Sequence, residues 1–293
     1  MSVSLRLVSI NIERSKHLDS VSPFITREAP DVLCVQELME RDVEAISSVF
    51  HPQSHVYFSM SRIREGSDVG VFGLGIFSRS PITRSGAPCY VGPSDTLPDT
   101  DSGDARTFNN QNRAVQWCDM EKEGETFRIG TTHFTWTPHG APDDAQRRDV
   151  TALLHQLDAL GDMVLCGDFN APRGGEIFAR IAQRYTDTIP ATYDWSLDPV
   201  LHRAGDALKG SAEALGLPGL MVDGLFSTPG YLVSEVRLES GVSDHMAIVA
   251  TVEKEVPTLD VGMPAGRLGA AAISLRRAGI TSWRNVAWPQ KNP

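Results

Sequence analysis

Cysteine is scarce in this sequence, and its spacing forms no motif. Only four of the 293 residues are cysteines, and none belongs to a C-x-x-C pair. Cys34, Cys118 and Cys166 fall inside predicted strands, where a free thiol packs like a small apolar side chain. We therefore expect these three and Cys89 to be reduced and structural, and we expect a cytoplasmic location.

Long apolar segments are also missing. No run of eighteen apolar residues occurs in the sequence, whereas a membrane-spanning helix needs about twenty. The first residues do not combine a basic stretch with an apolar core, so we expect no secretory signal peptide. We expect a protein without a membrane span. The oligomeric state has no signature in the sequence, and we expect a monomer.

Positive charge is in deficit. The 27 lysines and arginines face 37 aspartates and glutamates, which leaves a net charge of −10 and a pI of about 5.3. A broad basic surface for long nucleic acids is therefore not expected. A nuclease is not excluded, because a bound divalent cation and a few arginines can neutralise a phosphate locally.

The apolar pattern predicts more strands than helices. Helices are predicted at residues 15–28, 40–50, 142–160 and 174–184, and strands at 3–12, 31–37, 56–60, 69–78, 81–87, 113–121, 126–136, 162–168, 219–227, 231–240 and 246–254. Hairpins alternate with helical connections, which favours two sheets packed face to face with helices outside. Two long irregular segments are predicted at 91–112 and 186–219.

The composition changes near the carboxyl end of the sequence. From Pro257 onward the chain is rich in glycine, alanine and arginine and poor in large apolar residues. We therefore predict one domain over residues 1–256 and an extension of uncertain structure over 257–293.

The segment VLCGDFN places two polar side chains at the end of a buried strand. Asp168 and Asn170 would point the same way if the strand geometry continued past the glycine. An Asx turn that closes the strand is the ordinary structural explanation. The alternative is a functional carboxylate and amide at a strand end.

Other polar residues recur at predicted strand ends. Each has its own structural explanation, such as a helix cap or a hydrogen-bonded core histidine. Together they favour a site, because the loops at one end of a sandwich gather there. The residues are Asn11, Glu37, His133, Asp223, Asp244 and His245.

The order of these short segments resembles a known superfamily. SINIE, VQE, GIFSRSPI, THF, GDFN, MVDGLF and SDH follow one another over residues 5–253 as in the endonuclease/exonuclease/phosphatase superfamily. The resemblance implies an α/β fold, a four-layer sandwich of two packed mixed β-sheets flanked by helices. It also implies divalent-metal-dependent hydrolysis of a phosphoester, in which an activated water attacks phosphorus.

The resemblance implies a metal site with oxygen ligands. Glu37 matches the family's metal-binding glutamate, and carboxylate oxygens suit Mg²⁺ or Mn²⁺. Asn11 and Asp244 match positions that help to hold the metal or the scissile phosphate.

The resemblance also implies catalytic roles. Asp168 matches the residue that orients the attacking water, and Asn170 the amide that donates to the phosphate. His245 matches the histidine that stabilises developing charge, with Asp223 fixing its tautomer. His133 matches a candidate general acid.

Contacts with the substrate are less defined by the sequence. Arg113 could bind a phosphate, since arginine binds phosphate in a bidentate manner, or could serve a structural ion pair. Thr135, Trp136 and His139 follow His133 in a loop that could line the cleft.

The sequence leaves the substrate open between a small phosphoester and a nucleic acid. The main hypothesis is a phosphodiesterase or phosphatase. The alternatives are a nuclease acting on DNA or RNA ends and, from a different class, a catalytically inactive phosphate-binding module. An inactive module is disfavoured, because convergent carboxylates repel one another without a cation.

Overall fold

Strands are the main elements in the described part of this chain, and several of them are buried along most or all of their length. The computed structural model describes residues 2–65, 68–93 and 95–255. In chain order the strands are β1 (Ser4–Asn11), β2 (Val32–Met39), β3 (Ser54–Glu65), β4 (Asp68–Ser78), β5 (Ile82–Gly86), β6 (Cys89–Val91), β7 (Asp99–Asp101), β8 (Arg113–Ala114), β9 (Gln116–Lys122), β10 (Glu125–His133), β11 (Val164–Asp168), β12 (Thr186–Asp187), β13 (Asp223–Ser227), β14 (Tyr231–Glu239) and β15 (Ala247–Lys254).

Five α-helices connect these strands within the described part of the chain. They are α1 (Leu18–Glu28), α2 (Val43–Phe50), α3 (Asp144–Leu160), α4 (Glu176–Ala182) and α5 (Ala207–Ala214). The first four confirm the predicted helices, and each begins two or three residues later than predicted. None of the helices described has the length and apolar character of a membrane span.

The strands form two large mixed sheets. One has seven strands in the order β14-β15-β1-β2-β4-β3-β7, and the other has six in the order β12-β13-β11-β10-β9-β5. In each sheet a central pair is parallel, β1 with β2 and β10 with β11, and the edge strand β7 is also parallel to β3. The short strands β6 and β8 pair separately.

The core lies in layers on both sides of each sheet. One apolar cluster, which includes Leu5, Leu7, Ile129 and Cys166, packs between the two sheets. A second cluster packs the outer face of the seven-stranded sheet against α1 and α2. A third packs the outer face of the six-stranded sheet against α3 and α4. The predicted four-layer α/β sandwich is therefore confirmed.

A buried polar link joins the sheets below their carboxyl ends. The side-chain amide of Gln36 on β2 donates to the hydroxyl of Thr131 on β10 at 2.8 Å, and to that of Ser9 on β1 at 3.2 Å. All three side chains are buried. Because a buried polar group is stable only when it is hydrogen-bonded, this link favours one relative placement of the sheets.

Parts of the irregular segments contain regular structure that the sequence pattern does not predict. Helix α5 lies within the predicted irregular segment 186–219, and strand β7 within 91–112. Both elements are short and together carry one large apolar residue, Leu208, so periodicity is a weak signal for them. Residues 257–293 lie outside the described residues, so the predicted extension stays a prediction.

A buried glutamate ties α1 to the edge of the seven-stranded sheet. Glu28 continues the buried face of α1, and its side chain is only 4% exposed. It accepts hydrogen bonds from Arg6 on β1, Arg237 on β14 and Arg27. Burial alone would raise the pKa of Glu28, but these arginines outweigh it and lower the pKa to about 2.

Glu28→Gln is expected to destabilise the fold by about 2 kcal/mol, because three charge-assisted hydrogen bonds weaken at once. The lowered pKa means that the charge of Glu28 stabilises the fold above pH 4.5, and that this contribution is lost as the pH falls towards 2. Urea unfolding of both proteins at several pH values measures this. Glu176→Gln, at the exposed ion pair with Arg147, is the matched control with little expected effect. Equal destabilisation by both variants would contradict the assignment.

Candidate active site

The predicted site residues line or border one cleft at the carboxyl ends of the parallel strands. Its volume is about 400 Å³, and its lining includes Glu37, Arg113, His133, Asp168, Asn170, Asp244 and His245. Strand register explains part of this convergence, since His133 is paired with Asp168 and Asp168 with Asp223.

The alternation of side chains selects the residues that enter the cleft. On β1, Leu5 and Leu7 face the space between the sheets, and the period of two places Asn11 on the same face. On β11, Val164 and Cys166 also face the space between the sheets, and the period of two places Asp168 on their face. Asn11 and Asp168 therefore end inner rows that begin with apolar core residues, and the buried Ser9 precedes Asn11 in its row.

Glu37 reaches the cleft through a β-bulge. Strict alternation would place it on the outer face of β2 with Leu33 and Val35, which pack towards α1 and α2. The register with β4 shifts between Val35 and Leu38, and Glu37 has a positive φ of 54°. This local irregularity turns the carboxylate inward, as bulges near sites commonly do.

Asp168 is the centre of the hydrogen-bonding network. Its Oδ2 atom lies 3.1 Å from Nδ2 of Asn11, 3.4 Å from Nε2 of His133 and 3.7 Å from Nε2 of His245. Its Oδ1 atom accepts the backbone N–H of Asn170 at 2.8 Å. Burial opposes the charge, but the two histidines and this N–H outweigh burial and hold the pKa of Asp168 well below its ordinary value.

His245 is held by a second buried acid. Its Nδ1 atom lies 2.8 Å from Oδ2 of Asp223. Burial alone would lower the pKa of His245, but the nearby carboxylates of Asp223, Asp168 and Asp244 raise it well above the ordinary value. These carboxylates therefore favour the protonated form of His245, whose Nε2 atom lies 3.7 Å from Oδ2 of Asp168.

Asn11 contacts the acids through its amide nitrogen. That nitrogen lies 3.1 Å from Asp168 and 3.4 Å from Oε1 of Glu37. Its oxygen accepts the backbone N–H of Glu13 at 3.0 Å. In this arrangement Asn11 orients two carboxylates, and its predicted contribution to holding a metal would act through them.

Asn170 and Arg113 are anchored to the backbone beside the cleft. The turn after Asp168 is the Asx turn considered from the sequence, and Asn170 takes a positive φ of 48°, so the strand geometry ends at Asp168. The amide of Asn170 donates to the carbonyl of Phe134 at 2.9 Å. Arg113 is 1% exposed and donates to the carbonyls of His133 and Phe134, both at 2.7 Å. Phosphate contacts by either residue stay predictions.

Gly167 sets the close approach of β10 and β11. It adopts a φ of +139°, and a Cβ atom there would lie 2.1 Å from the carbonyl oxygen of Thr132. Only glycine fits this position, next to the pair His133 and Asp168.

The donors around the cleft suit a divalent cation. Glu37 and Asp244 present carboxylate oxygens to it, the ligand type that Mg²⁺ and Mn²⁺ prefer. Asp244 is only 6% exposed, and within the described part of the chain its carboxylate accepts one hydrogen bond, from the hydroxyl of Ser243 at 3.1 Å. Burial is the main cause that raises the pKa of Asp244, to about 6. A buried carboxylate with so little compensation is favourable for cation binding.

Several residues of the cleft were not predicted from the sequence. Arg14 donates to Oε2 of Glu37 at 2.9 Å, and Glu13 lines the same end of the cleft. Glu13 is the last residue of the SINIE segment and Arg14 follows it, so their closeness to Asn11 in the sequence was the signal that could have identified them. Phe108 lies edge-on against Trp136, with ring centroids 5.3 Å apart. Trp136 and His139 line the cleft as expected, whereas Thr135 is buried outside the lining and donates to Asp149 at 2.6 Å.

The fold is similar to solved structures that cover most of this chain. An endonuclease/exonuclease/phosphatase from Bacteroides vulgatus matches with a TM-score of 0.64 at 17% identity, over 86% of this chain and 100% of that chain. The human nocturnin catalytic domain with bound sulfate matches at 0.60 and 16%, over 87% and 96%. A mannosyl-6-phosphatase from Bacteroides thetaiotaomicron matches at 0.58 and 12%, over 85% and 99%. At these identities the similarity shows the fold.

Family membership is shown by sequence. No curated protein sequence matches this chain. The model of the Endonuclease/Exonuclease/phosphatase family, whose members are divalent-metal-dependent phosphoesterases and nucleases, matches residues 8–245, which span every candidate site residue from Asn11 to His245. The chain therefore belongs to the Endonuclease/Exonuclease/phosphatase family.

Proposed function

We propose that this protein hydrolyses a phosphoester by attack of an activated water on phosphorus, with Mg²⁺ or Mn²⁺ as cofactor. The observation that carries the proposal is the convergence of Asn11, His133 and His245 on one buried carboxylate oxygen of Asp168. The oxygen of Asp168 is held in place by groups from both sheets. This is the preorganisation that positioning a water requires.

Asp168 would accept a hydrogen bond from the attacking water and later its proton. The low pKa of Asp168 makes it a weak base on its own. The cation would supply positive charge that lowers the pKa of the water and neutralises the phosphate oxygens. We assign Glu37 as its carboxylate ligand, with Asn11 and Asp244 helping to hold the ion or the scissile phosphate.

The two histidines would serve the phosphate and the leaving group. His245, held cationic by Asp223, would stabilise the negative charge that develops on the phosphate. His133 would donate a proton to the leaving oxygen, and Asn170 would donate to the phosphate. The second nitrogen of His133, Nδ1, is buried and has no hydrogen-bond partner among the described residues.

The size and charge of the site favour a compact substrate. A cleft of about 400 Å³ accommodates a small phosphoester or the end of a DNA or RNA strand. The net charge of −10 disfavours binding of long duplex DNA. The similar fold of a mannosyl-6-phosphatase supports the same proposal. The four free cysteines support a reducing, cytoplasmic location.

Asp168→Asn is expected to lower turnover by about 10²–10⁴-fold, because the variant loses the proton acceptor for water. Hydrolysis of bis-p-nitrophenyl phosphate with Mg²⁺ and with EDTA measures this, beside a panel of small phosphoesters, DNA and RNA ends. Asp162→Asn, exposed in the turn before β11, is the matched control. Full activity of Asp168→Asn would remove this residue from the mechanism, and no activity of the wild-type protein on any substrate would favour a binding module.

Glu37→Gln is expected to raise the Mg²⁺ concentration that gives half-maximal activity, because an amide is a poorer ligand than a carboxylate. A metal titration of activity measures the shift. Glu44→Gln, exposed on α2, provides the comparison. The same titration midpoint in wild-type and Glu37→Gln protein would argue against a ligand role.

Asp223→Asn is expected to shift the alkaline limb of the activity profile to lower pH. Asp223 raises the pKa of His245, so its neutralisation lets His245 lose its proton at a lower pH. The measurement is kcat/KM against pH for both proteins. An unshifted limb would mean that the charge of His245 does not limit the reaction.

A further inference from the structure

One side of the cleft is formed by uncharged residues. Phe108 and Gln111 come from the segment between β7 and β8, and Trp136 and Thr137 come from the loop after β10. All four line the cleft, and we call them the aromatic wall. None of the four carries a charge, in contrast to the acidic and basic residues elsewhere in the cleft. The aromatic wall therefore suits a neutral part of a substrate, since complementary groups line a binding pocket.

The two rings of the aromatic wall form a corner. The ring centroids of Phe108 and Trp136 are 5.3 Å apart, and the ring planes meet at 69°. The side-chain amide of Asn109 holds the corner, because it donates to the carbonyl of Trp136 at 2.9 Å. Rings at this angle leave no parallel slot, so a planar base cannot be sandwiched between them. A puckered ring can pack its C–H face against one of them.

Two polar atoms of the aromatic wall lack partners. Oγ1 of Thr137 and Oε1 of Gln111 are buried and have no hydrogen-bond partner among the described residues. Thr137 as a whole is only 2% exposed. Buried polar atoms are normally paired, and an unpaired one costs free energy. A ligand with hydroxyl groups would supply the partners, since a hydroxyl donates to an amide oxygen and either donates to or accepts from a second hydroxyl.

The aromatic wall lies next to the strand end that carries His133. The loop that contains Trp136 begins directly after His133. Arg113 donates to the carbonyl of His133 at 2.7 Å and to Oδ1 of Asn109 at 3.4 Å, so it ties the segment between β7 and β8 to the same strand end. Under the proposed function His133 protonates the leaving oxygen. The group attached to that oxygen would therefore extend towards the aromatic wall.

We propose that the aromatic wall binds a hydroxylated ring, namely a sugar, in the leaving group of the substrate. This inference rests on the proposed function for the position of the phosphate, and it names the class of alcohol that is released. One aromatic face packs against the C–H groups of the sugar, while Gln111 and Thr137 pair with its hydroxyls. Sugar phosphates and nucleotides both carry such a ring, and the experiment includes an analogue of each.

The experiment measures the binding of uncleavable analogues to the full wild-type chain. In each analogue a methylene group replaces the leaving oxygen, so binding does not depend on turnover. Isothermal titration calorimetry with Mg²⁺ compares methylenephosphonates of a hexose, of adenosine and of glycerol. At least one ring analogue is expected to bind about tenfold more tightly than the acyclic glycerol analogue, which carries the same charge. The preferred ring analogue identifies the source of the sugar.

Thr137→Val separates recognition from folding. Valine suits the extended backbone at this position, where φ is −135° and ψ is 150°, and it removes an unpaired buried hydroxyl. The variant is expected to melt no lower than the wild-type protein, while its preference for the ring analogue falls about fivefold. Thr126→Val, exposed on β10, is the matched control and is expected to keep the preference.

Trp136→Ala is expected to lose the preference, and Trp136→Phe to retain most of it, because phenylalanine keeps an aromatic face. Near-ultraviolet circular dichroism verifies that each variant is folded. Equal binding of ring and acyclic analogues by wild-type protein would overturn the inference, as would a lack of binding by all three. A preference unchanged in both Thr137→Val and Trp136→Ala would also overturn it.

These outcomes are distinct from failure of the proposed function. Phosphoester hydrolysis is tested by turnover of bis-p-nitrophenyl phosphate, whereas the aromatic wall is tested by binding of analogues that are not cleaved. Turnover without a ring preference would retain the proposed function and remove the sugar site. A ring preference without turnover of any substrate would retain the sugar site and remove the proposed function.

Discussion

A carboxylate buried between two β-sheets is the constraint on which the rest of this site depends. Asp168 is 2% exposed and remains charged, so its negative charge must be compensated by protein groups. Asn11 comes from one sheet and His133 from the other, while His245 and the backbone of residue 170 complete the set. The charge therefore ties the two halves of the sandwich together at one end. The hydrogen bond from Gln36 to Thr131 also joins the two sheets, deeper in the sandwich and between neutral side chains.

The sandwich was predictable because its signal is local. Alternation in β1 and β11 is visible over a few residues, and it correctly places Asn11 and Asp168 at the ends of inner rows. The helix α5 was not predictable in this way, because its sequence ALKGSAEA includes a glycine and its apolar residues pack only against a small cluster. Elements that owe their form to tertiary contacts carry little periodicity of their own.

The candidate site was predictable as a set of residues, but not as a set of contacts. Resemblance selected Glu37, yet only the bulge in β2 explains how an outward position turns inward. The pairing of Arg14 with Glu37, and the approach of Asp244 to Glu13, join segments that are far apart in sequence. The orientation of the Asn11 amide depends on a backbone N–H two residues later, a relation that composition and spacing do not encode.

Gly167 shows how steric and chemical requirements are combined within the motif GDFN. A methyl group at this position would press β11 against Thr132, and so against the strand that delivers His133. A mutational scan scored by turnover would therefore rank Gly167 beside Asp168, although glycine has no side chain with which to react. Purification yield or thermal melting would separate the two, because crowding at residue 167 damages strand pairing whereas loss of the acid removes the proposed proton acceptor. Gly167 thus sets the distance between two strands, whereas Asp168 supplies the carboxylate of the proposed reaction.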